Sequence, residues 1–250
     1  MLSIIIITKN EASHIGDCLE SVRWADEIII VDSGSTDGTQ RICSHYTDKI
    51  IEADWPGFGP QKNRALDAAS GEWVLSLDAD ERVTPELSAE IQNALDNTGK
   101  TVGFEIPRLS YYCGRAMRHG GWYPDYVLRL FRRDKGRFSN ALVHEKLEII
   151  GTIQRFNNPL LHFSFDDFEE VLHKIDNHSS LAAQMLFEKG KRSSFTKALL
   201  RGFWSFFRTY ILRAGFLDGR HGVMLALSNA EGTYYKYLKL LYLQKNISNK

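Results

Sequence analysis

Asp78, Asp80 and Glu81 place three carboxylates within four positions, directly after the strand-forming run Val74, Leu75, Ser76 and Leu77. Negative charges this close repel one another unless a cation or a strong set of donors compensates them. The cluster therefore either stands in open water or belongs to a site that holds something positive. An Asp-x-Asp pair can bind Mg²⁺ or Mn²⁺, and an ion held there can bridge and neutralise a diphosphate. A solvated acidic turn has the same spelling, because Asp favours turns. The setting separates the two readings: the pair directly follows a buried type of strand, downstream of a second strand that also ends in an acid, Asp32.

The elements that would carry these residues alternate from the start of the chain. Residues 2–8 form a β-branched run of the kind buried on both faces of a sheet. Ile15, Leu19, Val22 and Trp24 recur at near-helical spacing, with Asn10 placed as a cap. Residues 28–31 read as a second strand, 36–46 as a helix and 48–54 as a short third strand. Gly57 to Pro60 reads as a turn, 61–70 as a helix closed by Gly71, and 72–78 as a fourth strand. This alternation predicts an α/β fold whose parallel sheet carries helices on both faces. Ligands of such sheets bind beyond the carboxyl ends of the strands. Thr8 to Glu11, Asp32 to Ser35 and Asp78 to Asp80 should then share one edge, offering acceptors to a nucleoside and carboxylates to a hard cation.

Past Pro107 the pattern changes. Strands are predicted at 127–133 and 141–149. A long helix is expected from Asp166 to near Gly190, with Phe168, Val171, Leu172, Ile175, Ala182, Met185 and Leu186 on its buried side.

The chain has 250 residues, of which 43% are hydrophobic and 25% charged, an ordinary globular composition for one generous domain with a smaller appendage. Its net charge of zero conceals an asymmetry. Residues 195–250 hold 9 Lys and Arg against 2 Asp and Glu, leaving 22 against 29 in the remainder. The three cysteines, Cys18, Cys43 and Cys113, fit neither a disulfide framework nor a zinc site and read as reduced thiols. The first strand is followed by "TKNEAS", which has no glycine, and no Walker loop occurs, so the dinucleotide and P-loop solutions to phosphate binding are excluded. The apolar start is too short for a signal peptide, and no stretch reaches the ~18 to 20 apolar residues of a membrane span. A cytoplasmic protein is expected.

Taken together, "SIIIITKNEASHIGDCLESV", "ADEIIIVDSGSTDGT" and "GPQKNRALDAASGEWVLSLDADERV" resemble family 2 of the inverting glycosyltransferases. The later "GWYPDYVLRLFRR" and "ALVHEKL" are similar, more narrowly, to the β-1,4-glucosyltransferases that extend the inner core of bacterial lipopolysaccharide. The resemblance implies a GT-A type nucleotide-sugar-binding fold, a UDP-sugar donor, a divalent metal and a lipid-linked lipopolysaccharide core acceptor. It also implies that Thr8 and Glu11 border the nucleoside, that Asp32 helps to recognise uracil or ribose, and that Asp78 contacts the ribose while Asp80 ligates the metal. Some relatives carry two acids after the second strand, whereas here the second position is Ser33, which leaves open which position meets the base. One of Lys62 and Arg64 would lie near the diphosphate. Glu81 would face solvent or orient a neighbour. Inversion by single displacement needs a general base to take the proton of the acceptor hydroxyl. Glu145 and Asp125 are the candidates, with Glu145 favoured because a strand holds it more rigidly than a loop holds Asp125. His144 would complete the metal shell or hydrogen-bond the leaving phosphate, and Trp122, Tyr123 and Tyr126 would stack on the sugar.

On this reading residues 1–190 are the catalytic domain and 191–250 a basic, aromatic tail of two amphipathic helices split at "GFLDGRHG". Apolar groups interleaved with cations suit peripheral attachment to the anionic cytoplasmic face of the inner membrane. Transfer to a polyprenyl phosphate and a non-catalytic scaffold that binds nucleotide sugars or glycans are the competing functions. Nucleic acid is excluded as a partner, since the basic residues alternate with apolar ones instead of lining a phosphate track.

Overall fold

The computed structural model describes residues 1–139 and 146–248. Strand β1 (Leu2–Thr8) is buried along its whole length and is parallel to β2 (Glu27–Asp32) on one side and β4 (Trp73–Asp78) on the other. Side chains of a strand point alternately to opposite faces. Ile4 and Ile6 enter one core with Ile15 and Leu19 of α1 (Ile15–Ser21), and Ile5 and Ile7 enter the other with Ala65 and Leu66 of α3 (Phe58–Ala68). Two covered faces are why the run is apolar at every position rather than at every second one.

Beyond β2 lie α2 (Thr39–Cys43) and β3 (Ile50–Glu52), which pairs parallel to β2. After β4 come β5 (Glu81–Val83), α4 (Pro85–Asp96), β6 (Thr101–Tyr112), β7 (Arg115–Ala116), β8 (Asp125–Arg132), β9 (Gly136–Phe138), β10 (Leu147–Ile149), β11 (Thr152–Arg155) and β12 (Leu160–Phe165). The main sheet runs β3-β2-β1-β4-β8-β6-β12-β5, parallel through its first four strands and antiparallel where β8 meets β4 and β6. Of the strand expected at 141–149, Leu147–Ile149 is seen, paired with β9; residues 140–145 lie outside the described residues.

Two expectations about local structure are corrected. Asn10 does not cap α1. It adopts a left-handed conformation, φ 56°, and its Oδ1 accepts from the Thr36 amide at 2.8 Å, so it joins two loops. The Gly57 to Pro60 stretch is the first turn of α3 with Gly57 as its cap, which suits a Pro whose missing N–H would be unpaired there in any case.

The chain divides into two compact units: residues 1–108 with 125–162, and residues 109–124 with 163–250. This division differs from a boundary at 190/191, because α5 (Phe168–Glu188) clusters with the later helices α6 (Phe195–Phe207) and α7 (Gly219–Ser248) in the second unit. On α5, Val171, Ser179 and Ala183 are buried, whereas Phe168, Leu172 and Met185 are exposed, against the face assigned to them from periodicity. A turn through Gly215–Asp218 separates α6 from α7. Among the described residues, no helix is long and apolar enough to cross a membrane.

Within the first unit, buried Glu27 fastens three elements. It accepts from Ser3 of β1, from Lys49, and from both the amide (2.9 Å) and hydroxyl (2.8 Å) of Ser70 in the turn before β4. Gly71 completes the joint, since a Cβ there would fall 2.6 Å from Ser3 Oγ and 2.8 Å from the Ser3 amide. Burial pulls the Glu27 pKa up, but the hydrogen bonds from Lys49, Ser3 and Ser70 prevail and lower it to about 2. Because the folded value lies below the unfolded one, this stabilisation is whole above pH ~4.5 and is lost as pH falls towards ~2. Glu27→Gln should cost on the order of 3 kcal/mol at neutral pH and flatten stability across that acid window, as read by urea melts at pH 7 and pH 3.

Candidate functional site

The register of the sheet brings the expected strand ends together. Thr8 is opposite Asp32, and Ile7 is opposite Asp78, so the three C-terminal ends lie at one edge. The loops that follow are stitched across that edge. The Asn10 amide donates to Ser35 Oγ at 2.8 Å, the Glu11 amide to Thr39 Oγ1 at 2.9 Å, and the Ala12 amide to Asp37 Oδ2 at 3.0 Å. Asp32 is fully buried and organises its own loop: Oδ1 accepts from the amides of Gly34 and Ser35 and from Gln40 Nε2, and Oδ2 accepts from the Ser35 hydroxyl. Burial raises the pKa of this carboxyl, and the Ser35 and Gln40 hydrogen bonds outweigh burial and hold it below its ordinary value. Its visible work is to shape the loop rather than to offer an open acceptor to a base.

The acidic cluster is resolved by charge alternation. Asp78 Oδ1 lies 3.0 Å from Lys62 Nζ, and Asp78 Oδ2 accepts from Arg129 Nη2 of β8. The same guanidinium donates to Glu81 Oε1 at 2.6 Å, while Glu81 Oε2 accepts from the Asp78 amide at 3.0 Å. Arg108 Nη1 is 3.7 Å from Glu81 Oε1, and Arg108 also grips Asp125 through Nε (3.1 Å) and Nη2 (2.6 Å). The order Lys62, Asp78, Arg129, Glu81, Arg108, Asp125 thus alternates sign at every step. Burial would raise the Asp78 pKa, but Arg129 and Lys62 overrule it and keep the carboxyl far below the usual range. Burial would likewise lower the Arg129 pKa, and Asp78 with Glu81 raise it instead. Glu81 is fully buried and orients its neighbours; it does not face solvent.

Asp80 is the acid left outside this chain. It faces a cavity of about 430 Å³, within the ~300 to 1,000 Å³ typical of small-molecule sites, and its Oδ2 lies 3.3 Å from His162 Nε2. Ile7, Thr8, Lys9, Glu11, Asp78 and Ala79 also line the cavity, together with Trp55 and Phe58, whose rings meet edge to face at 4.8 Å. Thr8 Oγ1 is buried and has no hydrogen-bond partner among the described residues, so a polar ligand atom would be welcome beside it. Among the described residues no group of three or more His, Cys, Asp or Glu side chains gathers for a metal. The Asp80 carboxylate, with phosphate oxygens and water as further ligands, suits Mg²⁺ or Mn²⁺, and the His162 imidazole beside it suits the softer Mn²⁺ better.

Several sequence expectations are placed elsewhere. Lys62 is buried against Asp78, 5.7 Å from the Phe138 ring, and is already engaged as a counter-charge. Arg64 donates to the Asp54 carbonyl and carboxylate and to Gln61 Oε1, away from the cavity lining. Trp122, Tyr123 and Tyr126 do not line the cavity: Trp122 packs on Tyr112 and Phe165 in the second unit, and Tyr126 lies under the Arg155 guanidinium in the first. His144 and Glu145 lie outside the described residues.

The sequence reading missed four residues. Trp55 and Phe58 follow the end of β3, so the strand-end rule could have found them. Arg129 and His162 stand in strands far along the chain, and only the pairing of β8 with β4 and of His162 with Glu81 across β12 and β5 reveals them. Replacing Arg129 by Met should destabilise the protein by about 3–5 kcal/mol in denaturant melts, because two buried carboxylates lose their shared counter-charge. An unchanged melt would remove the alternating chain from the account.

Comparison with known proteins identifies the family. Residues 3–147 match the model of "Glycosyl transferase family 2". A curated relative from Rhizobium meliloti (strain 1021), "Lipopolysaccharide core biosynthesis glycosyltransferase LpsC", is 32% identical, with 94% of this chain and 93% of that one covered. A protein of Rickettsia typhi (strain ATCC VR-144 / Wilmington), named "Uncharacterized glycosyltransferase RT0209", is 29% identical over 96% of this chain and 86% of its own. Among solved structures, S. aureus TarS 1-349 in complex with UDP-GlcNAc aligns over 98% of this chain and 92% of that one, at TM-score 0.48 and 16% identity, too partial a likeness for its ligand to bear on this chain. The family match covers more than half of the sequence and the Rhizobium relative nearly all of it, so the chain belongs to glycosyl transferase family 2, with the GT-A type fold expected of it.

Proposed function

We propose that the protein transfers a hexose, glucose from UDP-glucose, onto the heptose region of a lipopolysaccharide inner core, by one displacement that inverts the sugar carbon. The acceptor class is supported by the name of the Rhizobium relative. The donor class is supported chiefly by one observation: Asp80 and His162 stand 3.3 Å apart on a 430 Å³ cavity while the neighbouring acids are neutralised from within. Asp80 and His162 would hold Mg²⁺ or Mn²⁺, and a bound ion would supply charge withdrawal from the departing UDP. Thr8 and Glu11 border the nucleoside, and Trp55 and Phe58 offer it or the sugar an aromatic edge. Lys9, an exposed cation on the cavity lining, takes the diphosphate role in place of Lys62 or Arg64. Asp125 is held by Arg108, which leaves Glu145 as the better base in this proposal and His144 as a further metal or phosphate contact.

A screen of nucleotide sugars with Mg²⁺ or Mn²⁺ tests this reading by nucleotide release. UDP-glucose should be turned over, and Asp80→Asn should lower kcat by about 10²-fold or more. His162→Gln should raise the metal concentration needed for half-activity by at least tenfold. Full activity of Asp80→Asn would overturn the metal assignment, and release from no donor would point to a scaffold.

Peripheral membrane attachment is supported by an inversion of α6. Its inward positions are the small residues Ala198, Gly202, Ser205 and, one turn on, Thr209, while Phe195, Leu199, Leu200, Phe203 and Trp204 face outward, Phe203 at 70% exposure. Gly202 permits the close approach, since a Cβ there would meet Tyr234 Cβ at 3.1 Å, and Ser205 Oγ donates to the Asn229 carbonyl at 3.1 Å. Lys197, Arg201, Arg208 and Arg213 interleave with the apolar groups, and no acid occurs between Phe195 and Leu217. An apolar face edged only by cations matches an anionic bilayer surface. Phe203→Ser with Trp204→Ser should abolish co-flotation with anionic vesicles and leave the thermal melt within a degree or two; retained flotation would defeat the assignment.

A further inference from the structure

The seam between α5 and α7 is built unlike an ordinary helix pair. Lining positions 171, 174, 175, 178, 179 and 182 of α5 and 225, 228, 229, 232, 233 and 236 of α7 recur three and four apart, so each helix offers one continuous stripe to the other. Such stripes usually interdigitate bulky apolar side chains at native packing density. Here Ser179, Ser228 and Gly232 stand at the middle of the seam, and a cavity of about 310 Å³ remains. At about 30 Å³ per water this has room for on the order of ten waters, or for one monosaccharide. Empty cavities that stay dry are apolar, whereas this one is edged by hydroxyls and amides.

Its floor is aromatic. Tyr112, Trp122 and Phe165 pack edge to face and stacked, with ring centres 5.7 to 6.1 Å apart, and Tyr112 OH shares a 2.8 Å hydrogen bond with Ser228 Oγ. The rim carries two lysines and a histidine. Lys174 lies 4.6 Å over the Phe165 ring and 2.8 Å from Glu170, His178 is exposed at the mouth, and Lys236 is half-buried. None of the residues that line the cavity is acidic. The half-buried Trp122 ring suits the C–H face of a pyranose, the acceptor capacity left on the Ser179, Ser228 and Thr233 hydroxyls suits its hydroxyls, and Lys236 suits a negative substituent.

We infer that the α5–α7 seam binds a single anionic sugar residue, one bearing a phosphate or carboxylate; this does not rest on the transferase reading above. Gly232 provides the test, because a Cβ added there has as its nearest neighbour Ile175 Cγ2 at 3.8 Å, so a side chain enters open space. The full chain is titrated by ligand-observed NMR with glucose 6-phosphate, glucose and inorganic phosphate. Glucose 6-phosphate should bind at least tenfold more tightly than glucose, and inorganic phosphate should not compete at equal concentration. Gly232→Val should weaken glucose 6-phosphate at least tenfold without lowering the thermal melt, and Lys236→Gln should erase the preference for the phosphorylated sugar. Binding that survives Gly232→Val intact would overturn the site, and competition by inorganic phosphate alone would overturn its carbohydrate character. Nucleotide release from donor in the same preparation reports on the transferase reading separately, and its absence would not alter the seam titration.

Discussion

The buried chain of alternating charges is the constraint around which the first unit is arranged. A carboxylate removed from water is costly unless it is paired and fully hydrogen-bonded. Asp78 and Glu81 meet that condition only because Lys62 arrives from α3, Arg129 from β8 and Arg108 from β6. Those three cations come from separate elements, so the acidic turn after β4 is in place only when the helix and both antiparallel strands are docked. The same requirement fixes what is left over. With two of three acids engaged internally, Asp80 is left on the cavity lining, where His162 is its close neighbour.

The alternation also explains why residues that look like ligand-binding groups in the sequence do other work. Lys62 has the right type and the right helix for a diphosphate contact, but its ammonium is 3.0 Å from Asp78 and buried. Asp32 has the right strand end for a nucleoside contact, but two amides of its own loop and Gln40 Nε2 of α2 converge on a single oxygen, Oδ1. Both residues shape the site from behind. Groups such as Thr8, Lys9, Glu11, Trp55, Phe58, Asp80 and His162 line the cavity instead.

What could be read from the sequence follows from the range of the interactions involved. The parallel half of the sheet was legible because burial on both faces forces continuous apolar runs, and the rule of carboxyl strand ends then gathered Thr8, Asp32 and Asp78 at one edge without any knowledge of side-chain contacts. Arg129 and His162 were not legible. Each sits in an antiparallel strand whose partner lies about 50 to 80 residues earlier, and local pattern carries no signal for that pairing. Helix α5 shows a subtler limit. Apolar spacing marked one face as the buried one, but Phe168, Leu172 and Met185 of that set are exposed while Ser179 and Ala183 are buried.

That reversal extends across the second unit, where small residues repeatedly occupy the positions that large ones fill in most helical cores. Their consequences differ with what faces them. Along α6 the small stripe meets α7 at close range, with the Gly202 position 3.1 Å from Tyr234 Cβ, so backbone approach replaces side-chain volume and the bulky residues are displaced outward. Along α5 the stripe mixes Val171 and Ile175 with the small Ser179 and Ala182, it meets Ser228 and Gly232 of α7, and volume is left open beside the aromatic cluster. A helix pair stabilised only by burial would be expected to fill that gap, since each unfilled methyl-sized void costs about 1 kcal/mol. Retaining Ser179 on one side and Ser228 and Gly232 on the other is therefore a standing cost to stability. That cost is intelligible if the seam is filled by something other than the chain itself.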